Sequence, residues 1–358
     1  MKRSALIILL FLSHCATAGS GNKDTLLQKG IDLFNQGQYE RSVEVLKQSL
    51  EGSEVKSDKK KQAAIYNNIG NNYSNLGRME QSLDAYQRSI SLSDETGDKK
   101  MKARSIKNIG ALYSDNKDFE TAIKKFDEAE AIALTINDTP IIADCANNKG
   151  LIYEQRKQYD QALLQYKKAL KLYESLKQED RIAILYNNLG VLCKYLKKYD
   201  EAIDHYSLSL AIGEKLGDKF LCAANLINMG GVYEMKGDHK NAIALANRGL
   251  ELSKEVNSPD LLIEVYSNLA EAYAGSGDYK SGYDYYKTYS AAKDSFINVE
   301  RSRQMAEMQT KYETEQKEKQ IIKLEKTRYQ MLAIIGILSL LVVIAALLYR
   351  GRAAKQLA

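Results

Sequence analysis

Apolar and polar positions from Tyr66 to Ile90, "YNNIGNNYSNLGRMEQSLDAYQRSI", alternate as in one amphipathic helix, a turn and a second amphipathic helix. Forty residues on, "IKNIGALYSDNKDFETAIKKFDEAE" repeats the pattern, and "ANNKGLIYEQRKQYDQALLQYKKAL" repeats it again. Aligned on Gly30, Gly70, Gly110, Gly150, Gly190, Gly230 and Ala270, the chain divides into seven units of forty residues without a slip in register. Three residues further stand Leu33, Tyr73, Tyr113, Tyr153, Cys193, Tyr233 and Tyr273. Twelve past the glycine come Ser42, Ser82, Ala122, Ala162, Ala202, Ala242 and Gly282, where only a small side chain lets two helices approach. Four later are Leu46, Tyr86, Phe126, Tyr166, Tyr206, Ala246 and Tyr286. These offsets put glycine and an aromatic on one stripe of a first helix, and a small residue and an aromatic on one stripe of a second.

Turn residues fall where this register needs them. Gly37, Gly77, Gly237 and Gly277 mark the turn inside a unit, and Gly97, Asn137, Gly217 and Asn257 the turn between units; glycine and asparagine tolerate the left-handed conformation that ends a helix. Thr139-Pro140 and Ser258-Pro259 read as a cap residue followed by proline at the first helical position.

The constellation resembles the tetratricopeptide repeat over residues 24–292, with its usual 34-residue unit lengthened by six. HEAT-type helical repeats share the period but lack the Gly/Tyr/Ala/Phe positions. Two departures stand out: no proline closes the second helix, and Tyr66, Tyr186 or Tyr266 replaces the family's tryptophan. The resemblance implies an all-α, right-handed superhelical solenoid of about seven helix-turn-helix units, similar to the long variant in kinesin light chains and bacterial peptide-responsive regulators. It also implies a concave groove, lined by first helices, that takes a peptide or protein segment.

Two residues before the glycine, or before Ala270, stands an asparagine in six units: Asn68, Asn108, Asn148, Asn188, Asn228 and Asn268. Asparagine disfavours helix interiors, so the recurrence needs a reason. Asn68 lies about 200° around the helix from Tyr66, and Asn71 and Asn75 extend its face. In the resembling families an asparagine here bonds the main chain of a bound peptide, a task that suits an amide because it both donates and accepts. The alternative is a ladder that ties each first helix to its neighbour and touches no ligand.

Composition removes several functions. Lys2, Arg3, Arg350, Arg352 and Lys355 account for the whole formal charge of +5, so the near-neutral body lacks the basic face of a nucleic-acid binder. His14, His205 and His239 are the only histidines, and Cys145, Cys193 and Cys222 lack metal or redox spacing. Cys193 occupies a core tyrosine slot and reads as a buried thiol. "GEKLGDK" from Gly213 lacks the spacing of a phosphate loop. Neither an enzyme nor a cofactor or metal site is expected.

The ends add expectations about location. Residues 1–18 read as a secretory signal peptide cleaved after Ala18, with lipidation at Cys15 as the alternative. Residues 293–330 form a charged linker helix in which Met305, Met308, Tyr312, Ile322 and Tyr329 leave a coiled-coil homodimer or a solvated helix open. The apolar run 331–349 would extend about 28 Å as a helix, enough for one transmembrane span, and 350–358 would be a short basic tail. The resulting expectation is a single-pass protein of the bacterial inner membrane with its repeats outside the cytoplasm. This order of parts is similar to the sensor half of membrane histidine kinases and transcriptional regulators, so a signal-transducing receptor is the alternative to an anchored interaction scaffold.

Overall fold

The computed structural model describes residues 25–298, 319–332 and 334–336. The chain forms two compact units, residues 1–294 and 295–358.

In the first unit, α1 (Thr25–Asn35) and α2 (Tyr39–Glu51) make the first helix pair, and a single extra turn, α3 (Ser53–Lys56), follows. The next pairs are α4 (Lys59–Asn75) with α5 (Met79–Thr96), α6 (Lys99–Asp115) with α7 (Phe119–Thr135), and α8 (Thr139–Gln155) with α9 (Tyr159–Ser175). They continue as α10 (Glu179–Tyr195) with α11 (Tyr199–Leu216), and α12 (Lys219–Met235) with α13 (His239–Glu255). The last described pair is α14 (Pro259–Gly275) with α15, helical in this unit from 279 to 294. Each first helix packs on its own second helix and on the first helix of the next pair. The result is a helical-repeat solenoid in which stability comes from each pair and its neighbours.

The glycine series is a steric requirement. A Cβ on Gly70, Gly150 or Gly190 would come within 2.5–2.6 Å of the Tyr86, Tyr166 or Tyr206 ring, and Phe126 presses on Gly110 in the same way. Those four rings are fully buried. Opposite them the small residue lets the helices close, and in the first two units it adds a bond: Ser42 Oγ donates to the Gly30 carbonyl at 2.7 Å and Ser82 Oγ to the Gly70 carbonyl at 2.8 Å.

Every turn from Gly37 onward, except the one spanned by α3, has a residue with positive φ. Gly97, Asn137, Gly217 and Asn257 are among them as expected, but Lys117, Lys157, Lys177 and Lys197 fill equivalent positions. Lysine gives no sequence signal for this conformation, which the surrounding helix packing imposes. The α8 cap also differs from expectation: Asp138, not Thr139, accepts from the Ile141 N–H at 3.1 Å, whereas Ser258 does cap α14.

The final pair breaks register. Ala270 replaces glycine, so the ring of Tyr286 has no cradle and is 59% exposed. Gly282 instead brings α15 close to α14, where a Cβ would meet Ala274 N at 3.1 Å. Tyr285, one residue earlier, turns inward and stacks on Tyr273 with ring centroids 5.5 Å apart.

In the second unit the described residues 295–298, 319–332 and 334–336 are helical. The expected placement in a bacterial inner membrane is corrected here: among the described residues no helix is long and apolar enough to cross a membrane. A span needs about twenty consecutive apolar residues, and of 331–349 only 331, 332 and 334–336 are described. The expected signal peptide with Cys15, the Met305 and Met308 stretch and the tail 350–358 lie outside the described residues.

Candidate functional site

The asparagines predicted for the groove sit between neighbouring first helices. Asn108 Nδ2 on α6 donates to Asn67 Oδ1 at 3.1 Å and Asn71 Oδ1 at 3.0 Å on α4, and the Tyr86 hydroxyl donates to the same Asn71 oxygen at 2.8 Å. Asn188 Nδ2 reaches Asn147 Oδ1 at 3.2 Å, and Asn268 Nδ2 reaches the Ile227 carbonyl at 2.9 Å. The rule is geometric: the asparagine two before the alignment residue meets the residue three before it in the preceding unit. Asn67 and Asn147 are therefore acceptors that the reading by face alone missed, although the doubled asparagines of "YNNIG" and "ANNKG" were a visible signal.

Where the preceding partner changes, the amide behaves differently. Asn148 would meet Lys107, whose ammonium accepts nothing, and its Nδ2 bonds the Asp144 carbonyl at 2.9 Å. Asn228 would meet Asn187, whose amide nitrogen donates to Asn225 Oδ1 at 2.9 Å, yet no bond joins Asn228 Nδ2 to the free Asn187 Oδ1. Asn187 Oδ1 and Asn228 Nδ2 are both buried without a hydrogen-bond partner. Asn75 Nδ2 bonds the Asn71 carbonyl at 2.9 Å, and Asn68 is half-buried.

Buried charges accompany the ladder. Lys107 Nζ lies 2.7 Å from Asp144 Oδ2, and the Tyr173 hydroxyl donates to Asp144 Oδ1 at 2.8 Å. Burial would raise the Asp144 carboxyl, but Lys107, Arg181 and Tyr173 outweigh it and hold it below the usual carboxylate range. Lys149 bridges Glu130 at 2.6 Å and Asp127 at 2.8 Å, and Lys168 adds a second ammonium to Glu130. Glu130 is likewise held low by those lysines against the effect of burial.

At Glu154 on α8 and Glu264 on α14 the balance reverses. Burial pushes Glu154 up to about 7, although the Tyr166 hydroxyl donates to it at 2.8 Å. Burial also pushes Glu264 up to about 7, with the Lys194 charge opposing the rise. Lys194 is itself lowered by burial against the pull of Glu264 and Glu154. The Glu264 Oε2 atom and the Tyr206 hydroxyl have no hydrogen-bond partner.

Other candidates resolve into packing. Cys145, Cys193 and Cys222 are buried free thiols, each raised by burial, Cys145 to about 12, and a thiol so held is a poor nucleophile. His205 stacks on Tyr186 at 5.9 Å, and His239 Nδ1 lies 2.7 Å from Glu234 Oε2. Among the described residues no three His, Cys, Asp or Glu side chains converge as a metal site. A polar cleft of about 690 Å³ opens where α4, α6 and α8 begin, lined by Lys60, Asp98, Lys100, Asp138 and Pro140.

Comparisons with known proteins agree with this architecture. The family model described as tetratricopeptide repeat matches residues 24–95, 102–175 and 181–255, more than half of the chain. No curated relative matches the sequence. Among solved structures, BtubC from P. vanneervenii is 23% identical, with a TM-score of 0.52 over 66% of this chain and 94% of its own. The apo quorum sensor NprR from B. thuringiensis is 16% identical, with a TM-score of 0.58 over 75% of each chain. The Rap conjugation gene regulator of plasmid pLS20, in complex with the Phr* peptide, is 18% identical, with a TM-score of 0.57 over 76% of this chain and 74% of its own. At these identities the likeness is one of fold.

Proposed function

The chain belongs to the tetratricopeptide repeat family, and from that premise we propose that it is a binding scaffold for a peptide or protein segment held along its first helices. The observation that carries this reading is the uneven satisfaction of the polar column between those helices. Asn71 on α4 and Asn108 on α6 are closed on one another and Asn72 Oδ1 is the one open amide atom there, whereas Asn187 Oδ1, Asn228 Nδ2 and Glu264 Oε2 on α10, α12 and α14 are buried without partners. Buried polar groups are nearly always hydrogen-bonded, and one left open marks a place where a partner group fits. An extended main chain offers alternating donors and acceptors of the required kind. The neighbour solved with the Phr* peptide supports a peptide as the class of partner.

The ladder then divides by role. Asn71, Asn108, Asn188 and Asn268 hold neighbouring first helices together, Asn75 and Asn148 bond their own helices, and Asn68 and Asn228 address the ligand. The test is selection of a random twelve-residue peptide display library on the full chain, with affinities of purified peptides measured by titration calorimetry. Selected peptides bind at one saturable site, and Asn228→Ala weakens them about tenfold, the worth of one well-made buried hydrogen bond, with helicity and melting unchanged. Peptide affinity indifferent to both Asn68→Ala and Asn228→Ala sinks this assignment.

A further inference from the structure

One register position carries a buried carboxylate twice, and the two are treated differently. Six residues before the alignment residue, α8 has Asp144 and α14 has Glu264. Asp144 is satisfied from both sides, by Lys107 Nζ of the preceding first helix at 2.7 Å and by the Tyr173 hydroxyl of its own second helix at 2.8 Å. The residue equivalent to Lys107 beside Glu264 is Ile227, fully buried and uncharged. By sequence spacing Lys293 falls at the position of Tyr173, in the pair whose register slips, and its Nζ lies 3.0 Å from the Tyr289 hydroxyl. Glu264 is 9% exposed, and its Oε2 has neither partner nor replacement. Lys194 and Glu271 reach it only through their charge.

A second, independent opening lies next along α12. Asn228 follows Ile227 directly, is 5% exposed, and has an Nδ2 donor without an acceptor. Glu264 Oε2 thus lacks a donor and Asn228 Nδ2 an acceptor.

We propose that the bound segment supplies both. An ammonium or guanidinium of the ligand takes, against Glu264 Oε2, the place that Lys107 takes against Asp144, and a ligand main-chain carbonyl accepts from Asn228 Nδ2. The inference rests on the binding reading above and adds the chemical class of the ligand: a peptide segment with a lysine or an arginine at a fixed position. A cation suits the place because a bound segment removes the remaining water from a carboxylate that is already nine-tenths buried, and a buried carboxylate is stable only when paired. A charge-assisted bond is also the strong kind.

The test uses the same peptide library on the full chain. Peptides retained by the wild type share a fixed basic residue, and its replacement by norleucine weakens binding about tenfold or more. Glu264→Gln weakens binding by a similar factor, and the two losses do not add, as a double-mutant cycle requires of a direct contact. Circular dichroism of Glu264→Gln matches the wild type, which separates lost contact from lost fold. Ile227→Lys, which grafts the Lys107 solution onto α12, removes the preference for a basic residue. Selected peptides without a fixed basic residue, binding indifferent to Glu264→Gln, or additive losses overturn this inference and leave the binding reading standing. A wild-type chain that retains no peptide overturns both.

Discussion

The α6–α8 and α12–α14 regions have one backbone plan and opposite chemistry. In the first, Lys107, Asp144 and Tyr173 close on one another and Asn108 finds two acceptors on α4. In the second, Ile227 stands where the lysine was, and Asn228 and Glu264 are left with open atoms. Helix length does not reveal this difference, because all four first helices have 17 residues. What differs is whether a residue forty positions away completes each polar group. A repeat can therefore keep its fold in every unit while reserving binding capacity for a few.

The largest effect that separates the regions is on stability. Lys107→Met leaves Asp144 buried beside an apolar side chain and costs about 3–4 kcal/mol, the usual loss when one partner of a buried pair is removed. Hydrogen exchange read locally in α6 and α8 reports it, which suits an array whose pairs can open separately. Equal protection of those helices in wild type and variant contradicts the structural role given to the pair.

A smaller contrast lies in the amides. Asn71→Ala strands the Tyr86 hydroxyl and removes one acceptor of Asn108, a loss of about 2 kcal/mol. Asn228→Ala removes a donor that is already unpaired and changes stability by less than about 0.5 kcal/mol. Urea midpoints of the two variants compared with the wild type check the difference, and equal losses would erase the distinction between closed and open asparagines.

The finest contrast is in pH dependence. Glu154 and Glu264 titrate near 7 in the folded chain, above their unfolded value, so the folded state binds more protons between about 4.5 and 7. Their contribution is fully present below that window and is lost as pH rises through it. Asp144 is held below its unfolded value, so its contribution is present at higher pH and is lost only as pH falls below about 4. Melting curves of Glu154→Gln and Glu264→Gln are flatter than wild type between pH 5 and 7.5, while Asp144→Asn changes the acid limb; an unaltered slope in both glutamine variants contradicts the burial argument.

Much of the fold could be read because its signals are local and repeated. The seven-fold alignment found the glycine–ring contacts, since one absent Cβ per unit recurs at fixed spacing. It misplaced Tyr286, because Ala270 and Gly282 together shift the last pair by one residue. It also left Lys117, Lys157, Lys177 and Lys197 unmarked, since lysine carries no preference for the left-handed conformation they adopt. For the candidate site, helix-face geometry identified the asparagine column but not its direction of use. Asn67 and Asn147 were overlooked because their role appears only when two units are laid side by side.

By itself, then, the sequence determined an all-helical array with a forty-residue period, the pairing within each unit, and the positions where rings and small residues meet. Those properties depend on helical periodicity and on contacts within one unit, both of which a linear pattern records. The tertiary structure alone decided that Asn108, Asn188 and Asn268 join helices while Asn228 and Glu264 remain open. An amide or carboxylate is satisfied or not according to atoms within about 3 Å of it, and in this solenoid those atoms belong to the neighbouring repeat.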